Sequence, residues 1–315
     1  MDSSDIMDMN VWRICYTDVE ISDKMLGKGA SGLVSEGYWR STPVAVKRYK
    51  IVKYALHEFS IMRLLHHPNI VQMMGICEDP VGDCILIMER LTGTTLDKVM
   101  SCDVQGRQRK LCHRLVNDIT RQILMAFRYL HEHRPEPVAH RDLKPSNIFI
   151  QTMDNYRTVR VKLLDFGVSI MGDPDPSFNR RVGTPMFMAP EIHEDPEGIR
   201  TSDDLCRTDM YALAIVLKIL WEQNTMDMHG MWWMTPPTIR CIIKSATQKI
   251  PSRRPCPSQI LHVLDHRWKG RAHRFQERFV YNLRVMGCNF YETFKVRENS
   301  KSRDDPSWYP YSRYR

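Results

Sequence analysis

Asp142, Asn147 and Asp165 are the residues of this chain whose types and spacing are best suited to chemistry. The first two lie in Val138-Ala139-His140-Arg141-Asp142-Leu143-Lys144-Pro145-Ser146-Asn147, and the third opens Asp165-Phe166-Gly167. Between them, Ile148-Phe149-Ile150 reads as one short apolar strand and Val159 to Leu163 as another, with polar residues 151–157 as the turn. Such a hairpin brings two acids and an amide to the ends of adjacent strands, where a metal ion and a phosphate could sit together.

A second constellation lies upstream. Gly27-Lys28-Gly29-Ala30-Ser31-Gly32 joins a strand at Val19–Leu26 to one at Leu33–Tyr38. Its glycines let the backbone approach phosphate oxygens and aim N–H groups at them. Dinucleotide-binding folds use the same spelling where a strand enters a helix, but here strand follows strand. The next strand, Val44–Tyr49, delivers Lys47 among small and branched apolar residues, and a buried amine requires an anion. A helix expected over 53–66, with Leu56, Phe59, Met62 and Leu65 on one face, carries Glu58 as the natural partner. A lysine and a glutamate at that separation would by themselves be an unrelated surface pair; the glycine loop joins them to one site.

The elements that must position these groups fall into two classes. Val11–Tyr16, Ile70–Cys77 and Cys84–Met88 read as further strands, and Thr92-Gly93-Thr94-Thr95 marks a break. Beyond it the pattern turns helical: Leu115–His131 carries Val116, Ile119, Ile123, Ala126, Phe127 and Leu130 as a core stripe, and Met210–Trp221 is an apolar helix. A β-rich lobe therefore precedes a helical one, an α+β chain.

These motifs, in this order and these contexts, resemble the eukaryotic protein kinases. The resemblance implies a bilobal fold over residues 12–267, with a small lobe at 12–91 and a large lobe at 92–267. It leaves an acidic leader at 1–11 and a basic, aromatic extension at 268–315. It implies ATP and Mg2+, or Mn2+ in its place, as cofactors, and protein substrates. The backbone of Gly27 to Gly32 (Gly27, Lys28, Gly29, Ala30, Ser31, Gly32) would cover the phosphates, Lys47 would hold them and Glu58 would fix Lys47. Asn147 and Asp165 would bind the metal ions, while Asp142 would orient the acceptor hydroxyl and Lys144 would reach the γ-phosphate. Val34 and Ala45 above the adenine, Phe149 below it, Met88 as gatekeeper and the backbone of Glu89 and Leu91 would form the base pocket. Met62, Met73, His140 and Phe166 would stack as an internal spine.

Asp-Leu-Lys-Pro-x-Asn at 142–147 and Thr184 in Gly183-Thr184-Pro185 resemble the serine/threonine type, Thr184 as the brace of Asp142 and Lys144. Met188-Ala189-Pro190-Glu191 would close the activation segment, with Glu191 paired to Arg254 and Asp209 holding the catalytic loop from below. Trp12-Arg13-Ile14, Gly37-Tyr38-Trp39-Arg40 and Pro43 to Lys47 are similar to the tyrosine-kinase-like group, which includes Raf, mixed-lineage and receptor-interacting kinases. The alternative function is a kinase-fold scaffold without phosphoryl transfer. Such proteins lose a counterpart of Lys47, Asp142 or Asp165, and this chain keeps all three.

Composition narrows the classes further. A chain of 315 residues with 43% hydrophobic content supports a substantial core. Its nine cysteines are odd in number and none stand at Cys-x-x-Cys spacing, which argues against a disulfide framework or structural zinc and for a reducing compartment, cytoplasmic with the nucleus as alternative. The leader lacks the basic-then-apolar pattern of a secretory signal, and the longest apolar run is too short to span a bilayer. The net charge of +8 resides largely in the extension, so nucleic acid is not an expected partner; that extension is instead expected to pack on the large lobe or dock a protein. Oligomeric state is not legible. Of the hydroxyls between Asp165 and Glu191, Ser177 is the candidate for a phosphate that Arg141 would meet, and Met226 to Met234 is an atypical methionine- and tryptophan-rich stretch read as packing.

Overall fold

The computed structural model describes residues 10–29, 32–101, 111–153, 158–175, 179–225 and 235–268. By its contacts the chain divides into Met1–His262 and Val263–Arg315, and Lys47, Glu58, Asp142 and Asp165 all lie in the first unit. The expected stretches at Met226–Met234, Ser177 and most of the C-terminal extension fall outside the described residues. No helix among the described residues is long and apolar enough to cross a membrane.

Strands β1 (Val19–Gly29), β2 (Gly32–Trp39), β3 (Thr42–Tyr49), β4 (Met73–Glu78) and β5 (Cys84–Glu89) form an antiparallel sheet in the order β1-β2-β3-β5-β4. Strand alternation sorts β3. Val44 and Val46 enter a core with Ile14, Val19, Cys77, Ile85 and Ile87, which turns Ala45 and Lys47 to the other face. Helix α1 (Val52–Met62) packs on β3 and β5, burying Ala55, Glu58, Phe59, Ile61 and Met62. It is shorter than the 53–66 expected from periodicity. Leu65 remains buried, but the chain has left the helix before His66-His67-Pro68, where the proline disfavours helical backbone in the residue before it.

The expected first strand at 11–16 is not one. Residues 10–12 form a helical turn, Arg13 makes a single bridge to Ile76, and Tyr16–Asp18 is a 3-10 turn. Gly75 explains the arrangement: a Cβ there would lie 2.5 Å from Ile14 Cδ1 and 2.7 Å from Trp12 O, so this segment packs closely against β4 through a residue without a side chain.

The large lobe opens with β6 (Thr94–Thr95) and α2 (Leu96–Met100), followed by α3 (His113–His131). The last buries Val116, Ile119, Thr120, Ile123, Leu124, Ala126, Phe127 and Leu130 at helical spacing, each large apolar side chain contributing about 1.5–3 kcal/mol. After β7 (Val138–Ala139), β8 (Ile148–Met153) and β9 (Thr158–Leu163) pair as the expected hairpin, with strands extending further into the turn than their apolar cores suggested. Strand β10 (Ile170–Met171) pairs with β7, and α4 (Pro190–Glu194), α5 (Ser202–Thr225), α6 (Pro237–Ala246) and α7 (Pro257–Trp268) complete the order. Buried Trp221 Nε1 donates to Thr120 Oγ1 at 3.2 Å, joining α5 to α3.

Asn69 couples the connection between α1 and β4 to the large lobe. Its Nδ2 donates to Gln122 Oε1 and Val161 O, each at 2.9 Å, while its carbonyl accepts from Leu163 N at 2.8 Å. The strand that leads to Asp165 is thus fixed to both lobes.

Candidate active site

The upper wall is an ion-paired cluster. Lys47 Nζ donates to Glu58 Oε2 at 2.8 Å and Oε1 at 3.0 Å, and to Asp165 Oδ1 at 2.9 Å. Lys47 and Glu58 are both buried, on β3 and α1 respectively. Burial alone would lower the Lys47 pKa, but the two carboxylates outweigh it and hold the ammonium above its ordinary value. Burial would likewise raise Asp165, yet Lys47 keeps it ionised below the usual carboxylate range. The site therefore has fixed charges around neutral pH.

The floor rests on Asp209, in the third turn of α5. Its Oδ2 accepts from His140 N at 2.8 Å, its Oδ1 from Arg141 N at 2.8 Å, and His131 Nε2 lies 3.0 Å from Oδ2. Sequence reading placed Asp209 at the start of a helix at 210–221. Helix α5 instead begins at Ser202, where Asp203 and Asp204 favour the N-terminal dipole, and its polar first turns hid it from a search for apolar runs. The carboxylate fixes a backbone that departs from ordinary geometry, with Arg141 at φ 67°.

Asp142 follows at once. Its Oδ2 accepts from Lys144 Nζ at 2.7 Å, its Oδ1 from Thr184 Oγ1 at 2.7 Å, and Lys144 Nζ also donates to Thr184 Oγ1 at 2.9 Å. The bracing expected of Thr184 is present as a closed triangle. Asn147 Nδ2 donates to Asp142 O at 2.9 Å and to its Oδ2 at 3.3 Å, which leaves the amide oxygen as the atom Asn147 can offer a cation. Asn147 and Asp165 supply hard oxygens, the donor type that magnesium takes. Among the described residues no group of three or more His, Cys, Asp or Glu is arranged to hold a metal by itself. The donor set fits an ion completed by water and substrate phosphates.

The apolar residues expected around adenine come from β2, β3, β5 and β8. Ala45 pairs with Met88 across β3 and β5, and Val34 pairs with Lys47 across β2 and β3. Val34, Ala45 and Phe149 are half-buried, whereas Met88 and Leu91 are buried. Glu89 N donates to Gln72 O at 2.9 Å. Lys28 and Gly29 end β1, and Ala30 and Ser31 fall outside the described residues. Among the expected spine residues, Met62, Met73, His140 and Phe166 are all buried, and the His140 and Phe166 rings stand 5.0 Å apart.

The segment beyond Asp165 is tied back to the floor. Arg141 donates to Val168 O at 3.0 Å and Asn179 O at 2.6 Å; burial pulls its pKa down to about 10, partly offset by Asp209. Gly183, at φ +124°, lies so near Arg141 O that a Cβ would stand 2.6 Å from it. Glu191 and Arg254 form the expected pair, two-pronged at 2.5 and 2.7 Å, with Arg254 also donating to Gln248 O and Arg207 O.

Two residues here were not singled out from sequence. Tyr49 donates its phenol to Glu58 Oε2, and Lys162 binds Glu89 Oε1 at 2.5 Å and Ile70 O at 3.2 Å. Tyr49 sits one strand repeat after Lys47, a spacing that could have flagged it as sharing the lysine's face. Lys162 carries no comparable signal, since a lone lysine in a strand reads as solvated.

The sequence matches the family model of the protein kinase domain over residues 21–268. A relative named as a probable serine/threonine-protein kinase in Dictyostelium discoideum is 30% identical over 264 residues, covering 81% of this chain and 26% of the relative. Mitogen-activated protein kinase kinase kinase 7 of Homo sapiens is 26% identical over 279 residues, covering 82% of this chain and 43% of that protein. The chain thus spans less than half the length of either relative.

Proposed function

This chain belongs to the protein kinase family, and on that premise we propose that it is a protein serine/threonine kinase, transferring the γ-phosphate of ATP to serine or threonine hydroxyls of proteins. The observation that carries the reading is the triangle of Asp142, Lys144 and Thr184. Asp142 is held with both oxygens engaged, so its carboxylate has one orientation in which to align an acceptor hydroxyl and take its proton. The acceptor oxygen forms the new bond to γ-phosphorus as the bond to the ADP oxygen breaks. Phosphoryl transfer passes through a loose transition state, and placement is the larger part of the catalysis. Lys144, 2.7 Å from Asp142, supplies positive charge beside the transferring group.

Asn147 and Asp165 would hold magnesium, which when bound neutralises charge between the β- and γ-phosphates. Lys47 would pass from Asp165 to the α- and β-phosphates while Glu58 keeps it in place. The half-buried faces of Val34, Ala45 and Phe149 offer a flat apolar slot for adenine, and the Glu89 carbonyl a partner for its amino group. The residues around Trp12, Trp39 and Lys47 support placement in the tyrosine-kinase-like group.

Purified protein incubated with labelled Mg-ATP and a peptide mixture tests the reading, with Asp142→Asn as control. Phosphoserine and phosphothreonine products, lost in the variant, are expected. Tyrosine-only products would overturn the acceptor class, and an ATP-binding wild type that transfers nothing would point to the scaffold.

A further inference from the structure

Glu58 has two side-chain donors that reach it from the same strand. Lys47 donates to both of its oxygens, and Tyr49 donates its phenol to Oε2. The Tyr49 ring is 2% exposed and lies 5.2 Å from Lys47 Nζ, so it lines the pair as well as bonding to it. Burial, and next the charge of Glu58, raise the Tyr49 pKa far above its ordinary value, so the phenol keeps its proton and acts as donor. Phe166 N also points at Glu58, 3.4 Å from Oε1. The three donors converge on this glutamate, which rides on α1, an eleven-residue helix.

We propose that Tyr49 is a positioning residue of the ATP site, holding Glu58, and through it α1, in the arrangement in which Lys47 can meet the nucleotide phosphates. This rests on the kinase reading above. The need for it arises when ATP binds. Lys47 is then shared between Glu58 and incoming phosphate oxygens, and its hold on the carboxylate weakens. Among the described residues the Tyr49 phenol donates to Glu58, so its bond to Glu58 persists through that exchange. Without it, the Lys47 to Glu58 pair alone must keep α1 in place while the lysine is drawn toward phosphate. The fraction of molecules ready for nucleotide then falls, and apparent affinity falls in proportion.

Tyr49→Phe isolates the hydroxyl, since the ring and its packing remain. A hydrogen bond to a charged acceptor supports an expected rise of about 10-fold in KM for ATP, with kcat changed by less than about 2-fold at saturating nucleotide. Mg-ATP binding by titration calorimetry should weaken by the same factor. In a Glu58→Ala background, which removes the acceptor, adding Tyr49→Phe should change affinity by less than about 2-fold, because the two act as one unit. A purely structural tyrosine would lower thermal stability and active fraction without this split between KM and kcat and without the coupling. Unchanged Mg-ATP affinity in Tyr49→Phe, or full additivity with Glu58→Ala, would overturn the proposal while leaving the kinase reading intact. Failure of the wild type to bind Mg-ATP would overturn the kinase reading, and this one with it.

Discussion

Asp209→Asn is the sharpest test of how the floor of the site is built. The substitution keeps volume and removes one acceptor oxygen and a charge from a side chain that is 1% exposed. Three donors converge there: His140 N, Arg141 N and His131 Nε2, at 2.8, 2.8 and 3.0 Å. The amide oxygen of Asn can retain Arg141 N, which places its NH2 against His140 N and His131 Nε2. His131 can adapt by exchanging tautomers and accepting, but a backbone N–H cannot. The N–H of His140, a residue that is 0% exposed, is therefore orphaned. An unsatisfied buried group costs about 1–3 kcal/mol, and losing the charged character of the Arg141 bond adds about 1 kcal/mol more. A total near 3 kcal/mol corresponds to a fall in Tm of about 6–12 °C for a domain of this size. Scanning calorimetry of wild type and variant measures it, and phosphoryl transfer should fall in parallel because Asp142 is one residue beyond the loosened loop. A variant whose Tm lies within about 2 °C of wild type would refute the reasoning. So would one that loses stability but keeps full activity.

Two further outcomes follow from the same geometry. Thr184→Ala removes the hydroxyl that closes the triangle with Asp142 and Lys144, and should lower kcat about 10-fold or more with little change in KM for ATP, while Thr184→Ser should restore most of it; equal loss in both variants would count against the hydroxyl. Among the described cysteines, burial pushes Cys77 and Cys84 up to about 11, whereas the Thr17 hydroxyl holds exposed Cys15 below its ordinary value. Iodoacetamide at pH 8, read by peptide mass spectrometry, should label Cys15 well before Cys77 or Cys84 in the native protein. Equal rates would contradict the burial of the β4 and β5 thiols.

What could be read from sequence tracks the range over which each signal acts. Asp142, Lys144 and Asn147 lie within one turn and one strand start, so their grouping is local and legible. Lys47 with Glu58 was joined through the glycine loop, whereas Glu191 with Arg254 needed a family pattern to bring distant residues together, and both pairs are formed. The bond from Tyr49 to Glu58 had no such pattern behind it; it depends on how α1 lies against β3, which no periodicity encodes. The misread strand at 11–16 has a similar cause. Its apolar residues suit a strand, but the tight approach at Gly75 leaves it only a single bridge to β4. Asp209 was found but misplaced, because hydrophobic runs mark where a helix is buried and not where it begins.

The bond between Lys47 and Asp165 makes the ammonium a resident counter-ion for a carboxylate that a divalent cation would also seek. Lysine and cation are rivals for one charge, and phosphate is the arbiter, since it draws the lysine away. Nucleotide and metal should therefore each strengthen the other's binding, by the same factor in both directions. With neither ligand bound, the acid still has its counter-charge.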